Sequence, residues 1–289
     1  MAIEYLADNA NSLATINWLL ADGTAGAGFA AGGGAATLRI ASGKQAITQD
    51  CDQTGATNGV ESFDVLPDFT GDCGDSTHPF KFEVDGTSES LANAVSRLRY
   101  WAGGGKMWFH SSTNGCHILQ VNSGGEINLV GGGYKHLHLD KGTVNFTDQT
   151  TCTASGTWYV GGGTMTLEKH ASNTFNVVHV LGGGSSSFPH KFLRGGTTLN
   201  IKGGQSVLNV KNGSVTNLNI DDGYLSLLSH NATGPALTAL GGTIDVSSLS
   251  RPITLSNPVL GRVTFIGFNR NMVTLSSPVY IGGGPIGLN

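Results

Sequence analysis

The sequence predicts an all-β protein wound as a right-handed, single-stranded parallel β-helix of about nine coils. Three observations support this prediction: a composition rich in glycine and poor in charge, a glycine that returns about every 19 residues, and alternating apolar and polar residues after most of those glycines. Of 289 residues, 44 are glycine and only 12% are charged, which is typical of many short strands joined by tight turns. Coils this short cannot contain the helix of a βαβ crossover, so each must close on itself and stack on the next.

The recurring glycines mark the predicted corners of the coils. Successive members of the series are separated by 17 to 21 residues. A corner between two strands favours glycine because the backbone takes a positive φ there or approaches the neighbouring coil closely. The nine predicted corners are Gly105, Gly125, Gly142, Gly163, Gly184, Gly204, Gly223, Gly242 and Gly261.

A second column tests this series, because glycines are too common here to be convincing alone. The position four residues after each corner is large and apolar in all nine coils, and the position two residues after it is apolar in all but two, which have Ser186 and Ser206. In most coils a polar residue lies between the two positions, as in a half-buried strand; examples are Asn128, Asn145, Thr166, Ser226, Asp245 and Thr264. The predicted core column consists of Phe109, Leu129, Phe146, Leu167, Phe188, Leu208, Leu227, Val246 and Phe265.

Residues 87–102, "TSESLANAVSRLRYWA", are predicted to form a helix that covers the N-terminal end of the solenoid. Apolar residues recur there with helical spacing, at Leu91, Ala94, Val95, Leu98 and Trp101. A solenoid needs covered ends, because exposed strand edges and core residues promote aggregation. The segment leads directly into the first coil, so we expect it to act as the cap.

The rest of the chain is divided by composition. Residues 1–36 are predicted to be an arm with a Gly/Ala-rich linker, residues 37–86 a small β-rich subdomain, and residues 103–289 the β-helix with its C-terminal tail. The uncharged stretch after Arg270 either adds a last coil or lies in a contact. Apolar residues of the arm either bind a partner or form a strand on their own domain; the predicted contact residues are Leu13, Ile16, Trp18 and Leu19.

Several classes of protein are disfavoured by charge and by the absence of motifs. A net charge of −4 lacks the basic footprint of nucleic-acid binders. The chain starts without the basic region of a secretory signal, and no apolar run reaches the roughly 18 residues of a membrane span. The four cysteines lack C-x-x-C spacing, so free thiols are expected, with a Cys51–Cys73 disulfide as the alternative.

The sequence offers no convincing catalytic or metal-binding constellation, so we expect no cofactor and no metal. Glycoside hydrolysis needs two carboxylates about 5 to 9.5 Å apart, and the acids of the solenoid do not occupy equivalent places on neighbouring coils. Asp221 and Asp222 lie one coil beyond Lys202, which predicts a surface ion pair. The outward pair His136 and His138 lacks a third ligand.

Two further segments are considered for binding. The acidic stretch "DCDQTGATNG", residues 50–59, lacks the terminal glutamate of a calcium loop. No G-x-x-x-x-G-K-[ST] motif occurs, so the glycine runs are not expected to hold phosphate. Asn200 and Asn219 occupy equivalent positions on adjacent coils and predict a short amide ladder.

With corners from Gly105 to Gly261, the chain resembles phage virion proteins built on β-helical repeats, such as capsid cement or decoration proteins and, more distantly, tail spikes. The resemblance implies a non-enzymatic structural protein that is made in the host cytoplasm, is located in the virion and stabilises a phage head. It also implies a homotrimer that binds the major capsid protein or another virion protein. The alternative is a tail spike or fibre that binds or cleaves host polysaccharide. A bacterial adhesin passenger is disfavoured because no export signal is found.

Overall fold

A computed structural model describes residues 2–7, 11–12, 19–20, 37–48, 60–82, 95–111, 116–147, 152–154, 156–167, 176–188, 197–209, 215–229, 235–282 and 287–288. Within these ranges the secondary structure is all β and contains no helix, which confirms the all-β class. The chain divides into two compact units, Met1–Ala154 and Ser155–Asn289.

The first unit stacks its strands mostly in parallel. The strands are β1 (Ala2–Ala7), β2 (Asn11–Ser12), β3 (Leu19–Leu20), β4 (Thr37–Gly43), β5 (Ile47–Thr48), β6 (Val60–Phe69), β7 (Phe80–Phe82), β8 (Val95–Tyr100), β9 (Lys106–Ser111), β10 (Cys116–Phe146) and β11 (Cys152–Ala154). One face runs through β1, β4, β6, β8 and β10, and a second face runs through β7, β9 and β10. Strand β3 pairs with β1 in the antiparallel sense.

The second unit is a parallel β-solenoid of about seven turns. Its strands are β12 (Thr157–Val160), β13 (Thr164–Leu167), β14 (Val177–Leu181), β15 (Ser185–Phe188), β16 (Thr197–Asn209), β17 (Val215–Ser229), β18 (Ala236–Ala239), β19 (Thr243–Asp245), β20 (Ile253–Ser256), β21 (Val259–Leu260), β22 (Thr264–Ile266), β23 (Val273–Ser276), β24 (Val279–Tyr280) and β25 (Gly287–Leu288). The first face is the ladder β12–β14–β16–β17–β18–β21–β24, the second is β13–β15–β16–β17–β19–β22–β25, and β20 pairs with β23 on a third.

The core of the solenoid consists of columns in which one buried side chain lies above another. On the first face of the second unit, strand register produces a buried column of Trp158, Val178, Leu199, Leu218 and Leu237. Burial of each such side chain stabilises the fold by about 1.5 to 3 kcal/mol. Because each turn covers the apolar side chains of the next, stacking itself is the main source of stability.

The two serines that interrupt the apolar pattern are accommodated by bonding to each other. Ser186 and Ser206 are buried and lie in register on adjacent turns, and their hydroxyl groups form a hydrogen bond. A buried hydroxyl without a partner is costly, so the exceptions in the sequence pattern occur as a satisfied pair.

The predicted capping helix is wrong where the structure describes it. Val95–Tyr100 form strand β8, which pairs in parallel with β6 on one side and β10 on the other. Leu98 and Tyr100 are buried and Arg97 and Arg99 are half-buried, so the segment has the two-residue period of a strand. Hydrogen bonding to two neighbouring strands outweighs the helical spacing of the apolar residues. Residues 87–94 lie outside the described residues.

The C-terminal stretch adds a last coil, one of the two predicted alternatives. Its strands β23, β24 and β25 pair with β20, β21 and β22. Tyr280 lies in register with Leu260, which is fully buried, yet Tyr280 is 59% exposed. This turn therefore presents a large apolar side chain to solvent.

The predicted count of nine coils is not confirmed. The glycine series from Gly105 to Gly261 crosses the boundary between the two units, so it does not describe one of them alone. Parallel stacking is established by the strand pairings, and the right-handed sense stays a prediction. The predicted division at residues 36, 86 and 102 also stays a prediction, although β4, β6, β8 and β10 pair in succession across the last two of these positions.

Candidate functional site

The strand register aligns most of the predicted corner glycines within each unit. In the first unit the Glu126 amide donates to the Gly105 carbonyl at 3.0 Å, which places Gly125 beside Gly105; a β-carbon at Gly142 would lie 3.0 Å from the Gly125 carbonyl oxygen. In the second unit, the residue directly after each corner pairs with the residue directly after the corner of the next turn. These pairs place five corners in one continuous column: Gly163, Gly184, Gly204, Gly223 and Gly242.

Gly223 shows why this column is glycine. Its φ is 104°, in the region that other residues rarely adopt, and a β-carbon there would collide with the carbonyl oxygen of Gly204 on the preceding turn. Both the backbone conformation and the close approach of the preceding turn therefore require glycine at this position. The geometry of the corner is sufficient to account for Gly223.

The last predicted corner is wrong by two residues. Phe265 lies in register with Ile244, not with Val246, and the Thr264 amide donates to the Gly242 carbonyl at 3.0 Å. Val263 therefore occupies the place that follows Gly242 in the column. Gly261 instead lies beside Leu240, because Leu260 pairs with Ala239 and the Gly261 amide donates to the Ala239 carbonyl at 2.7 Å. The turn from Gly242 to Val263 is thus two residues longer than each of the two turns before it. A constant interval in the sequence therefore placed the last corner at the wrong residue.

The predicted core column is buried wherever its side chains are described. The buried members are Phe109, Leu129, Phe146, Leu227, Val246 and Phe265. Backbone pairing places Phe188, Leu208 and Leu227 in register on three successive turns. The side chains of Leu167, Phe188 and Leu208 lie outside the described part of the structure.

Of the predicted partner-contact residues, only Leu19 falls in a described strand. It lies in β3, where it pairs with Glu4 of β1. Leu13, Ile16 and Trp18 lie outside the described residues. Binding of a partner by this set stays a prediction.

The outward column on the first face of the second unit combines aromatic and amide side chains. Tyr159 and His179 lie in register, and their rings stack with centroids 4.9 Å apart and planes inclined by 7°. On the next two turns the Asn219 Nδ2 group donates to Asn200 Oδ1 at 2.9 Å. The predicted amide ladder is thereby confirmed. In the first unit Asn145 donates to Asn128 in the same manner, at 3.2 Å.

His179 should make the stability of the fold depend on pH. Burial, and secondly the positive charge of Lys202, lower the pKa of the His179 imidazole below its usual value. The unfolded chain, with a pKa near 6.5, then binds a proton more readily than the folded chain. The contribution of the neutral ring is therefore present above about pH 6.5 and is lost as pH falls through the lower, folded pKa.

We expect the melting temperature of the wild type to fall more steeply than that of His179→Asn as pH is lowered from about 7.5 to about 5. Asparagine extends the amide column of Asn200 without titrating, so it is the matched comparison. Thermal melts of both proteins by circular dichroism measure the difference. Parallel pH profiles would contradict the assignment.

Two outward carboxylates of the second unit, Asp221 and Asp245, are bonded to neighbouring groups. Lys202 Nζ lies 3.7 Å from Asp221 Oδ2, which confirms the predicted ion pair. Asp245 accepts hydrogen bonds from the Ser247 hydroxyl at 2.6 Å and the Tyr224 hydroxyl at 2.5 Å. These two bonds lower the pKa of the Asp245 carboxyl. The groups hold adjacent turns or adjacent residues together.

The most buried carboxylate of the first unit was not predicted from sequence. Asp64 is 1% exposed and accepts a hydrogen bond from Ser62 Oγ at 2.5 Å. Its Oδ2 lies 3.2 Å from Arg99 Nη1 and 3.6 Å from Arg39 Nε. The register of β4, β6 and β8 places these three charges on successive strands. The two arginines of "VSRLRY" are two residues apart, so in a strand they lie on the same face. Because the segment was predicted to be a helix, this shared face was not recognised.

Two cysteines are free, buried thiols. Burial, and secondly the charge of Asp72, raise the pKa of the Cys73 thiol well above its usual value, and burial raises the pKa of Cys116 to about 12. Cys51, the other member of the alternative disulfide, lies outside the described residues.

In the native protein we expect iodoacetamide to modify Cys73 and Cys116 far more slowly than in urea, because the thiolate is the reactive species. Peptide mapping by mass spectrometry after timed quenching measures both sites separately. A cross-linked pair of peptides containing Cys51 and Cys73 under non-reducing conditions would contradict the free thiol.

The structure groups no three potential metal ligands among the residues it describes. Leu137 and Leu139 are buried, whereas His138 is exposed and His136 is half-exposed, so the predicted alternation along this strand is observed. The acidic segment 50–59 lies outside the described ranges. In the described part of the chain no helix is long and apolar enough to cross a membrane.

No protein-family model, no curated protein and no solved structure matches the chain.

Proposed function

We propose that the chain is a non-enzymatic structural protein of a virion, a capsid cement or decoration protein that stabilises a phage head. The observation that supports this role is that polar side chains on the outward faces bond to one another along the stack. Asn200 with Asn219 and Tyr224 with Asp245 each link neighbouring turns. Side chains used in this way stiffen the solenoid, and stiffness is the property required of a brace on a shell.

The proposed assembly uses the two ends of the chain. The N-terminal arm and residues 37–86 bind the major capsid protein or another virion protein, three copies associate, and the right-handed solenoid braces the assembly. The exposed apolar residues of the last turn, Val279, Tyr280 and Ile281, support a role in assembly, because side chains of this kind are normally covered in the final complex.

Immunogold electron microscopy tests the proposal directly. An antibody raised against the purified protein is applied to particles pelleted from the biological source, with pre-immune serum as control. We expect gold over phage heads. Purified protein should have the mass of three chains by light scattering. An absence of labelled particles would reject the virion role, and labelling confined to tails would reject the cement role.

The second candidate is a tail spike or fibre that binds or cleaves host surface polysaccharide. The column of Tyr159, His179 and Asn200 favours it, because aromatic rings and amides are groups that contact sugars. In the same experiment this function predicts gold at the tail. Incubation with a library of bacterial surface oligosaccharides, followed by mass spectrometry, distinguishes binding from cleavage.

A further inference from the structure

The outward side of strand β8 carries two arginines and a tryptophan in a row. Leu98 and Tyr100 face the core, so Arg97, Arg99 and Trp101 project from the opposite side, and all three are half-buried. Residues two apart on a strand are separated by about 6.5 to 7 Å. The Arg99 guanidinium carbon lies 5.4 Å from the centre of the Trp101 ring, which holds the cation against the indole.

Among the residues that the structure describes, most hydrogen-bond donors of the two guanidinium groups have no acceptor. Arg97 Nε donates to Ser62 Oγ at 3.4 Å, and Arg99 Nη1 donates to Asp64 Oδ2 at 3.2 Å. Arg99 Nε is buried without any acceptor. A guanidinium carries five N–H donors in a planar fork, so these contacts leave both forks with donors to spare. Buried donors normally have an acceptor, so the remaining donors of Arg97 and Arg99 are available to bind a ligand.

The local charge favours an anionic partner. Asp64 lies in register between Arg39 and Arg99, and its Oδ2 faces both of them. Arg97 adds a third positive charge through Ser62, whose hydroxyl donates to the same carboxylate. This local cluster of three arginines contrasts with the net charge of −4 for the whole chain. Two neighbouring forks of this kind can bind an oxyanion through paired, charge-assisted hydrogen bonds.

The neighbouring strand adds groups that suit a sugar. Gln120 of β10 lies in register with Arg99, and Asn122, two residues further along, is exposed. An amide can donate to and accept from hydroxyl groups, and the half-buried Trp101 ring can pack against the apolar face of a sugar. We define the cationic strip as Arg97, Arg99, Trp101, Gln120 and Asn122.

We propose that the cationic strip binds an anionic glycan, a chain of sugars that carries carboxylate or sulfate groups. This activity goes beyond the proposed role in the virion and does not depend on it. A nucleic acid is the less suitable polyanion, because its binding requires a wider basic surface than two arginine forks on a chain of negative net charge.

Isothermal titration calorimetry at low ionic strength tests the proposal with three ligands. Dextran sulfate and dextran share one sugar backbone with and without the sulfate, and alginate oligosaccharides supply carboxylates. We expect binding to dextran sulfate, to alginate or to both, and none to dextran. The preferred ligand identifies the oxyanion. Binding of neither anionic glycan would overturn the proposal.

Arg97→Gln should weaken this binding at least tenfold, because a single arginine pair with an oxyanion is worth this much. Arg97 has one long hydrogen bond to Ser62, so the variant should keep the wild-type melting temperature. The matched control is Arg251→Gln, which removes the same charge at an exposed site of the second unit. Arg97→Lys should recover part of the affinity, because the charge remains and the fork is lost.

Two results would overturn the assignment to the cationic strip. Equal weakening in Arg97→Gln and Arg251→Gln would mean that binding reflects overall charge. Tighter binding of a thymidine oligonucleotide than of either glycan, with the same dependence on Arg97, would identify a nucleic-acid site instead.

Discussion

Leu227→Asp is expected to abolish folding of the second unit. Leu227 is 1% exposed and is held in register with Leu208 on the preceding turn. Removing a buried leucine costs about 2 to 5 kcal/mol, and burying an unpaired carboxylate costs several kcal/mol more. The sum is comparable to the whole stability of a typical domain, roughly 5 to 15 kcal/mol.

Ser226→Asp is the matched control, one residue away on the outward side of the same strand. Ser226 is half-exposed and lies in register with Asp245. The new carboxylate faces a like charge across the strands, which costs about 1 kcal/mol or less and is screened by salt. Soluble yield and melting by circular dichroism measure both variants. If the two tolerate the change equally, the inward and outward assignments on β17 are wrong.

Gly223→Ala is expected to cause the second largest loss of stability. A β-carbon at this position would collide with the Gly204 carbonyl, and the φ of 104° is unfavourable for alanine. Overpacking costs about 1 to 3 kcal/mol, and strained backbone adds about 1 to 3 kcal/mol. We therefore expect a total loss of about 2 to 6 kcal/mol.

Gly182→Ala should have the opposite sign. A β-carbon at Gly182 would have no atom within 4 Å, and its φ lies outside the left-handed region. Alanine then reduces the freedom of the unfolded chain and stabilises the protein by about 0.4 to 1 kcal/mol. Urea unfolding midpoints of the two variants provide the comparison. Destabilisation of both by the same amount would show that loss of any glycine matters, and not the close approach of the turns.

The N-terminal boundary of the solenoid shows where sequence periodicity is ambiguous. Leu91, Ala94, Val95, Leu98 and Trp101 have helical spacing, but Leu98 and Tyr100 alone form the buried pair of a strand. Such a short segment satisfies both periods to some degree. The pairing of β8 with β6 and β10 resolves the ambiguity, and it depends on residues distant in sequence.

The candidate sites depend even more on pairing between turns. Asp64 and Arg99 are 35 residues apart in sequence, and only the register of β6 with β8 brings them to 3.2 Å. Likewise, the hydroxyl of Ser186 needs that of Ser206 on the next turn. The amide ladder could be predicted because Asn200 and Asn219 fall within a regular repeat. No such repeat relates the arginines to the aspartate.

The sequence by itself determined the all-β class, the parallel stacking of short coils, the glycine column from Gly163 to Gly242 and the buried position of Leu227. These features recur at regular intervals, so the position of a residue in one turn predicts the equivalent residue in the next turn. The tertiary structure decided the strand at Val95–Tyr100, the two-residue shift at Gly261 and the arginine cluster around Asp64. The physical reason is that irregular turns fix their register through hydrogen bonds to neighbouring strands, and these bonds join residues that no local pattern connects.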